Sequence, residues 1–221
     1  MIELLKLETS PVAVALVPEG AEVPENIKKI EESMRHCQMV DRVRKTGEEF
    51  YATLEDETCK GGAAALGLGK MPPKVESGEF YYEILKHFKT LEASQKTVEK
   101  IPRIEAGSKV ASIYAPLESA TFMPDVVVII CNAKQVMLLT QAILYNEGGR
   151  LEAEFAGKQS LCSDAVALPY LTGKMGITVG CSGSRSYTGI EESELTVGIP
   201  VNLLNDLIEG LRAIVGKAPA K

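Results

Sequence analysis

Histidine is scarce in this chain: only His36 and His87 are present, so a histidine-rich metal site is excluded by count alone. Long apolar runs are missing too. None exceeds six residues: Val126 to Cys131 is strand-sized and far short of the roughly 20 residues that span a bilayer, so no membrane partner is expected. The first residues, Met1-Ile2-Glu3-Leu4-Leu5-Lys6, lack the basic region, apolar stretch and cleavage site of a signal peptide, and a cytoplasmic location is expected. Lysine and arginine are dispersed in a chain of net charge −6, which argues against a nucleic-acid surface. The nucleotide and hydrolase signatures are also absent. The run Gly61 to Lys70 ends in Gly-Lys, but Met71 stands where a phosphate-binding loop requires Ser or Thr. No Gly-x-Gly-x-x-Gly follows a strand, no Gly-x-Ser-x-Gly occurs, and neither histidine has an evident triad partner.

What is present reads as an α+β or α/β protein with a mixed sheet and flanking helices. Its 221 residues suffice for one packed domain spanning 1–221. Strands are expected at Pro11–Val17, Val110–Tyr114 and Val126–Cys131, the last continuous in apolar residues as a strand buried on both faces should be. His36 and Cys37 open a short helical run that Gly47 stops. Asn132 is a good N-cap for a buried helix from Ala133 to about Asn146. The apolar spacing of Phe80, Ile84, Phe88 and Leu91 predicts a helix over Phe80–Lys100, with His87 partly buried in its middle. A strand Gly176–Gly180 leads into a loop, Cys181-Ser182-Gly183-Ser184-Arg185-Ser186, and an amphipathic helix follows Pro200.

Two stretches invite comparison. Phe50, Ala52 and Leu54 alternate with polar residues before Cys59, and Leu151, Ala153 and Phe155 do so before Cys162. Each cysteine precedes a small-residue apolar run. The parallel suggests a duplicated strand–helix–strand–Cys–helix unit, with pseudo-repeats over 9–75 and 108–175. Residues 176–221 then form a C-terminal strand, cysteine loop and helix.

Five cysteines, an odd number in a chain with no export signal, make a disulfide framework improbable. Cys131 ends an apolar strand and reads as core filling. Cys59 and Cys162, at the N-terminal ends of two expected helices, are candidate thiolate ligands. Cys181 sits in a loop able to wrap a cluster or cradle an anion, with Arg185 supplying charge, and Cys37 supplies a fourth thiol. Four thiols at 37, 59, 162 and 181 match a tetrahedral sulfur set, suited to a [4Fe–4S] cluster or structural Zn2+. Structural zinc sites usually bring ligands in Cys-x2-Cys pairs, and this chain has none, so the cluster is preferred.

Several stretches together resemble the prokaryotic domain-of-unknown-function family 169. They are Pro11–Val14, His36-Cys37-Gln38, Cys59–Gly69, Gly78–Tyr82, Cys162–Gly173, Gly180–Arg185 and Gly198-Ile199-Pro200. The likeness runs from about residue 9 to 212. It implies family cysteines at Cys37, Cys59, Cys162 and Cys181 and a variable position at Cys131. Many relatives carry a second cysteine in the last loop where this chain has Ser184, so a site needing two thiols there does not suit it.

The expected function is a cytoplasmic iron–sulfur protein for electron transfer or redox support of a partner enzyme. The cluster would be held by the four thiols, with His36, Gly61, Gly62, Gly183, Ser184 and Arg185 around it. The alternatives are a metal-free module binding a small anion on the Gly183–Arg185 loop, a structural zinc protein, and a thiol enzyme using Cys59 or Cys162. The apolar helices and suggested symmetry permit a homodimer.

Overall fold

The computed structural model describes residues 1–215; the last six residues of the expected C-terminal unit, 216–221, lie outside the described residues. The first half contains α1 (Ile2–Leu5), β1 (Val12–Pro18), α2 (His36–Thr46), β2 (Phe50–Thr53), α3 (Lys60–Ala65) and α4 (Pro73–Glu76). A π-helical segment, Phe80–Ile84, precedes α5 (Leu91–Glu99) and β3 (Lys109–Pro116). After β4 (Val126–Asn132) and α6 (Ala133–Ile143), a second π-helical segment, Ser160–Ala167, runs into α7 (Leu168–Thr172). The chain continues through β5 (Gly176–Thr178), α8 (Ser182–Tyr187), β6 (Glu194–Pro200), a 3-10 turn and α9 (Leu204–Val215).

The six strands form a sheet of order β2-β3-β1-β4-β6-β5. Every neighbouring pair is antiparallel, so the architecture is α+β, and the sheet is antiparallel where a mixed one was expected. β4 is buried on both faces, as its unbroken apolar run requires. On one face Val126, Val128 and Ile130 join Val12, Val14, Phe50 and Tyr114 under α2, α3 and the second π-helical segment. On the other, Val127, Ile129 and Cys131 pack with Val197 and Ile199 against Leu139 of α6 and Leu207 and Leu211 of α9. Asn132 caps α6 as its side chain suggests: its Oδ1 accepts from the Gln135 N–H at 3.0 Å, and Gln135 Oε1 accepts from the Asn132 N–H at 2.8 Å.

Three local expectations are corrected. Leu151–Phe155 forms no strand; the stretch is irregular, and Phe155 is 48% exposed. An alternating pattern becomes a strand only where a sheet edge accepts its hydrogen bonds, and here none does. With that strand goes the premise of the duplication, which the architecture does not support. The expected helix over Phe80–Lys100 is interrupted. Lys86 adopts a left-handed φ of 54°, and Thr90 starts a new helix by accepting from the Ala93 N–H at 3.2 Å. His87 is therefore an exposed residue of the connection and not a half-buried helical one. Finally, residues after Cys181 wind into α8, where a loop was expected.

Candidate metal centre

Cys37, Cys59, Cys162 and Cys181 all line one cavity of about 550 Å3 on the α2/α3 face of the sheet. Different local devices bring each there. Cys37 is in the first turn of α2. Cys59 and Cys181 are the N-cap residues of α3 and α8, with the extended backbone that position requires. Cys162, 8% exposed, lies in the first turn of the second π-helical segment. Cys131 lies on the far side: it alternates to the opposite face of β4 and packs among Ile129, Val197 and Leu139.

Glycine lets the sulfurs approach. A Cβ on Gly62 would stand 3.5 Å from Cys59 Sγ and 3.7 Å from Cys162 Sγ, so these two thiols flank a single bare stretch of α3. Gly61, Gly183 and Ser184 also line the cavity. Among the described residues, no group of three or more His, Cys, Asp or Glu side chains is placed to hold a metal ion directly.

Burial and mutual repulsion keep two of the thiols protonated. Burial, then the nearby Cys181 and Cys59, push Cys37 up to about 12, and burial with the other three thiols holds Cys162 well above the ordinary range. Cys181 moves the other way. Burial would raise it, but the Ser184 N–H, at 3.5 Å from Sγ, and hydrogen bonds from Ser160 outweigh that and lower it.

Behind the sulfurs, His36 is 2% exposed and its Nδ1 lies 2.8 Å from the Tyr114 hydroxyl, which donates to Ser112 Oγ at 2.9 Å. Burial lowers His36 to about 3, so it is neutral. Glu57, fully buried, accepts the His36 N–H at 3.1 Å, and burial raises it to about 8. Neither adds charge beside the thiols at neutral pH.

Arg185 is placed elsewhere. Its guanidinium donates to the carbonyls of Val179, Glu191 and Glu194, at 2.5–2.9 Å, and fastens the end of β5 to the start of β6. It does not line the cavity. Residues that sequence reasoning passed over do. Tyr81, in the first π-helical segment, is pushed to about 12, chiefly by burial and in part by the nearby Cys162, Cys59 and Cys181. Gln159, Lys158 and Arg35 also line the cavity.

The relative placement of α2 and α8, hence of Cys37 and Cys181, is set by a buried ionic clasp. Asp41 accepts from Arg44 Nε at 2.8 Å, from Lys45 Nζ at 2.9 Å and from the Gly189 N–H at 2.9 Å, while Arg44 donates to Gly189 O at 3.0 Å and Glu194 at 3.2 Å. Burial would raise Asp41, but these donors outweigh it and hold it below the usual carboxylate range. Because the folded value is depressed, its contribution is complete above the unfolded pKa of about 3.9 and lost as pH falls through the folded value. Asp41→Ala is expected to cost about 2 kcal/mol at pH 7, since it leaves a buried guanidinium short of a partner, and less at pH 3, below the unfolded value. Urea unfolding at the two pH values measures both.

The fold and cavity define an α+β protein with four non-adjacent cysteines gathered on one face of an antiparallel sheet. Residues 1–210 match the model of domain-of-unknown-function family 169 (DUF169), described as uncharacterised ArCR, and the chain belongs to that family. It is 41% identical over 212 residues to an uncharacterized protein of Methanocaldococcus jannaschii, covering 96% of this chain and 90% of that protein. No solved structure matches. Among the described residues no helix is long and apolar enough to cross a membrane.

Proposed function

We propose that the protein is an iron–sulfur protein whose cavity holds a [4Fe–4S] cluster on Cys37, Cys59, Cys162 and Cys181. One observation carries the reading: four cysteines from four separate elements line one cavity, while the fifth is on the other side of the sheet. Cysteines placed only for packing have no reason to share a cavity in this way. A cluster is preferred to zinc because the four cysteines are widely separated in the sequence, with none of the Cys-x2-Cys pairs usual in structural zinc sites.

The electrostatics favour the same conclusion. Thiols that repel one another's ionisation are those a polynuclear cation stabilises most, releasing their protons as it binds. The Ser184 N–H at Cys181 would tune the cluster, since hydrogen bonds to ligand sulfur alter reduction potential. The chemistry such a group supplies is one-electron transfer, which makes a redox partner part of the proposal and the cell interior the expected location.

The test is iron and acid-labile sulfide content with a visible spectrum on protein purified without oxygen. About four of each per chain, with dithionite-bleachable absorption, is the expected result. Stoichiometric zinc in colourless protein, or no metal at all, overturns the reading.

A further inference from the structure

Beyond the sulfurs, the cavity continues between the two π-helical segments, and its lining there has polar groups that a cluster leaves unanswered. Gln159 is the centre of it. The residue is 7% exposed and adopts a left-handed φ of 47°, uncommon outside glycine, as the N-cap of the segment carrying Cys162. Its carboxamide Nε2 donates to the Tyr81 hydroxyl at 3.1 Å, while its buried Oε1 has no partner. Because the Tyr81 oxygen accepts that bond, its own proton is free to donate. Lys158 stands alongside, with its ammonium 5.9 Å from the Tyr81 ring centre and 5.6 Å from that of Phe88. Among the described residues it has no carboxylate within 4.0 Å.

A buried carbonyl oxygen without a donor costs about 1–3 kcal/mol and calls for an explanation. An iron–sulfur cluster supplies none, because sulfide and thiolate offer hydrogen-bond acceptors only. The missing guest must present a donor to Gln159, an acceptor to Tyr81 and negative charge to Lys158. We infer that this end of the cavity binds a small hydroxycarboxylate, its hydroxyl donating to Gln159 Oε1 and its carboxylate held by the Tyr81 O–H and Lys158. A hydroxyl suits the position better than an ammonium, which Lys158 would repel. Both π-helical segments contribute to this one cavity, in keeping with the concentration of such segments at functional sites. The inference rests on reading the cavity as the cluster's, with the sulfur end occupied.

The experiment is titration calorimetry on the protein as purified anaerobically, with lactate, malate and citrate as probes. Succinate serves as the malate analogue without the hydroxyl, and aspartate as the analogue with an ammonium. At least one hydroxy acid should bind, with malate favoured over succinate and aspartate about tenfold or more. Gln159→Asn keeps a residue tolerant of the left-handed backbone but withdraws the amide, and should erase the preference for malate over succinate. Tyr81→Phe, which removes one hydroxyl, should weaken every probe. Binding of none of the hydroxy acids, or a malate preference that survives Gln159→Asn in protein with unchanged thermal unfolding, overturns the inference. Iron and sulfide counts on the same samples report on the cluster separately. Binding without iron sinks the cluster alone, and iron without binding sinks this subsite alone.

Discussion

Cys162→Ser should purify without colour. Of the four thiols it is the most enclosed, with the sulfurs of Cys59, Cys181 and Cys37 all close enough to raise its pKa. A hydroxyl there is a poor ligand for iron. Iron should fall from about four per chain towards none, with the same direction for Ser at positions 37, 59 and 181. Cys131→Ser is the control. It places a hydroxyl among Ile129, Val197 and Leu139 and should cost about 1–2 kcal/mol of stability, yet leave iron and spectrum intact, because the sheet separates it from the cavity. Full iron after Cys162→Ser would remove it from the ligand set. Loss of iron in Cys131→Ser with stability preserved would show that the site has been misplaced.

A second large effect is expected from a single methyl group at Gly198. Gly198 of β6 pairs with Gly176 of β5, and the π-helical segment bearing Cys162 lies directly on this pair. A Cβ at Gly198 would stand 1.9 Å from Ala165 O, and one at Gly176 would stand 2.0 Å from Asp164 O. Those neighbours are backbone, so the segment itself would have to lift. Gly198→Ala should therefore destabilise by about 3 kcal/mol or more. The melting temperature should fall by roughly 6–12 °C for a chain of this size. The same shift moves Cys162, so bound iron should drop with it. A Gly198→Ala protein with unchanged unfolding and iron content would contradict the close packing of this segment on the sheet.

The parts of the molecule legible in the sequence are those whose signal is local. β4, α6 with its Asn132 cap, and α9 follow from apolar period and capping residues alone. Cys37, Cys59, Cys162 and Cys181 line one cavity, and the sequence holds a partial signal of it in Cys131, which closes an apolar strand and so stands apart from the other four. What was not readable depends on distant partners. Leu151–Phe155 has a strand's alternation but no edge to join. The charge on Arg185 suggested an anion site, yet three carbonyls brought near by the β5–β6 connection claim it. The role of Gln159 has no sequence signal, because its contact with Tyr81 spans 78 residues and π-helical winding leaves no periodic mark. Thr90 could have been found: a Thr directly before a first turn that carries Glu92 is a start signal, and it outweighs the longer apolar spacing around it.

The strand order carries a consequence for biosynthesis. β6, the last strand among the described residues, does not sit at an edge but between β4 and β5, and pairs with β4 along seven residues from Val126–Pro200 to Asn132–Glu194. Until residue 200 has left the ribosome, β4 and β5 have no common neighbour, and the β5–β6 part of the platform beneath the Cys162 segment is missing. A growing chain would thus expose Cys37 and Cys59 for most of its synthesis without a completed cavity to enclose them. Any cofactor insertion at a complete cavity waits on β6, and a ribosome stalled short of it yields thiol-bearing fragments.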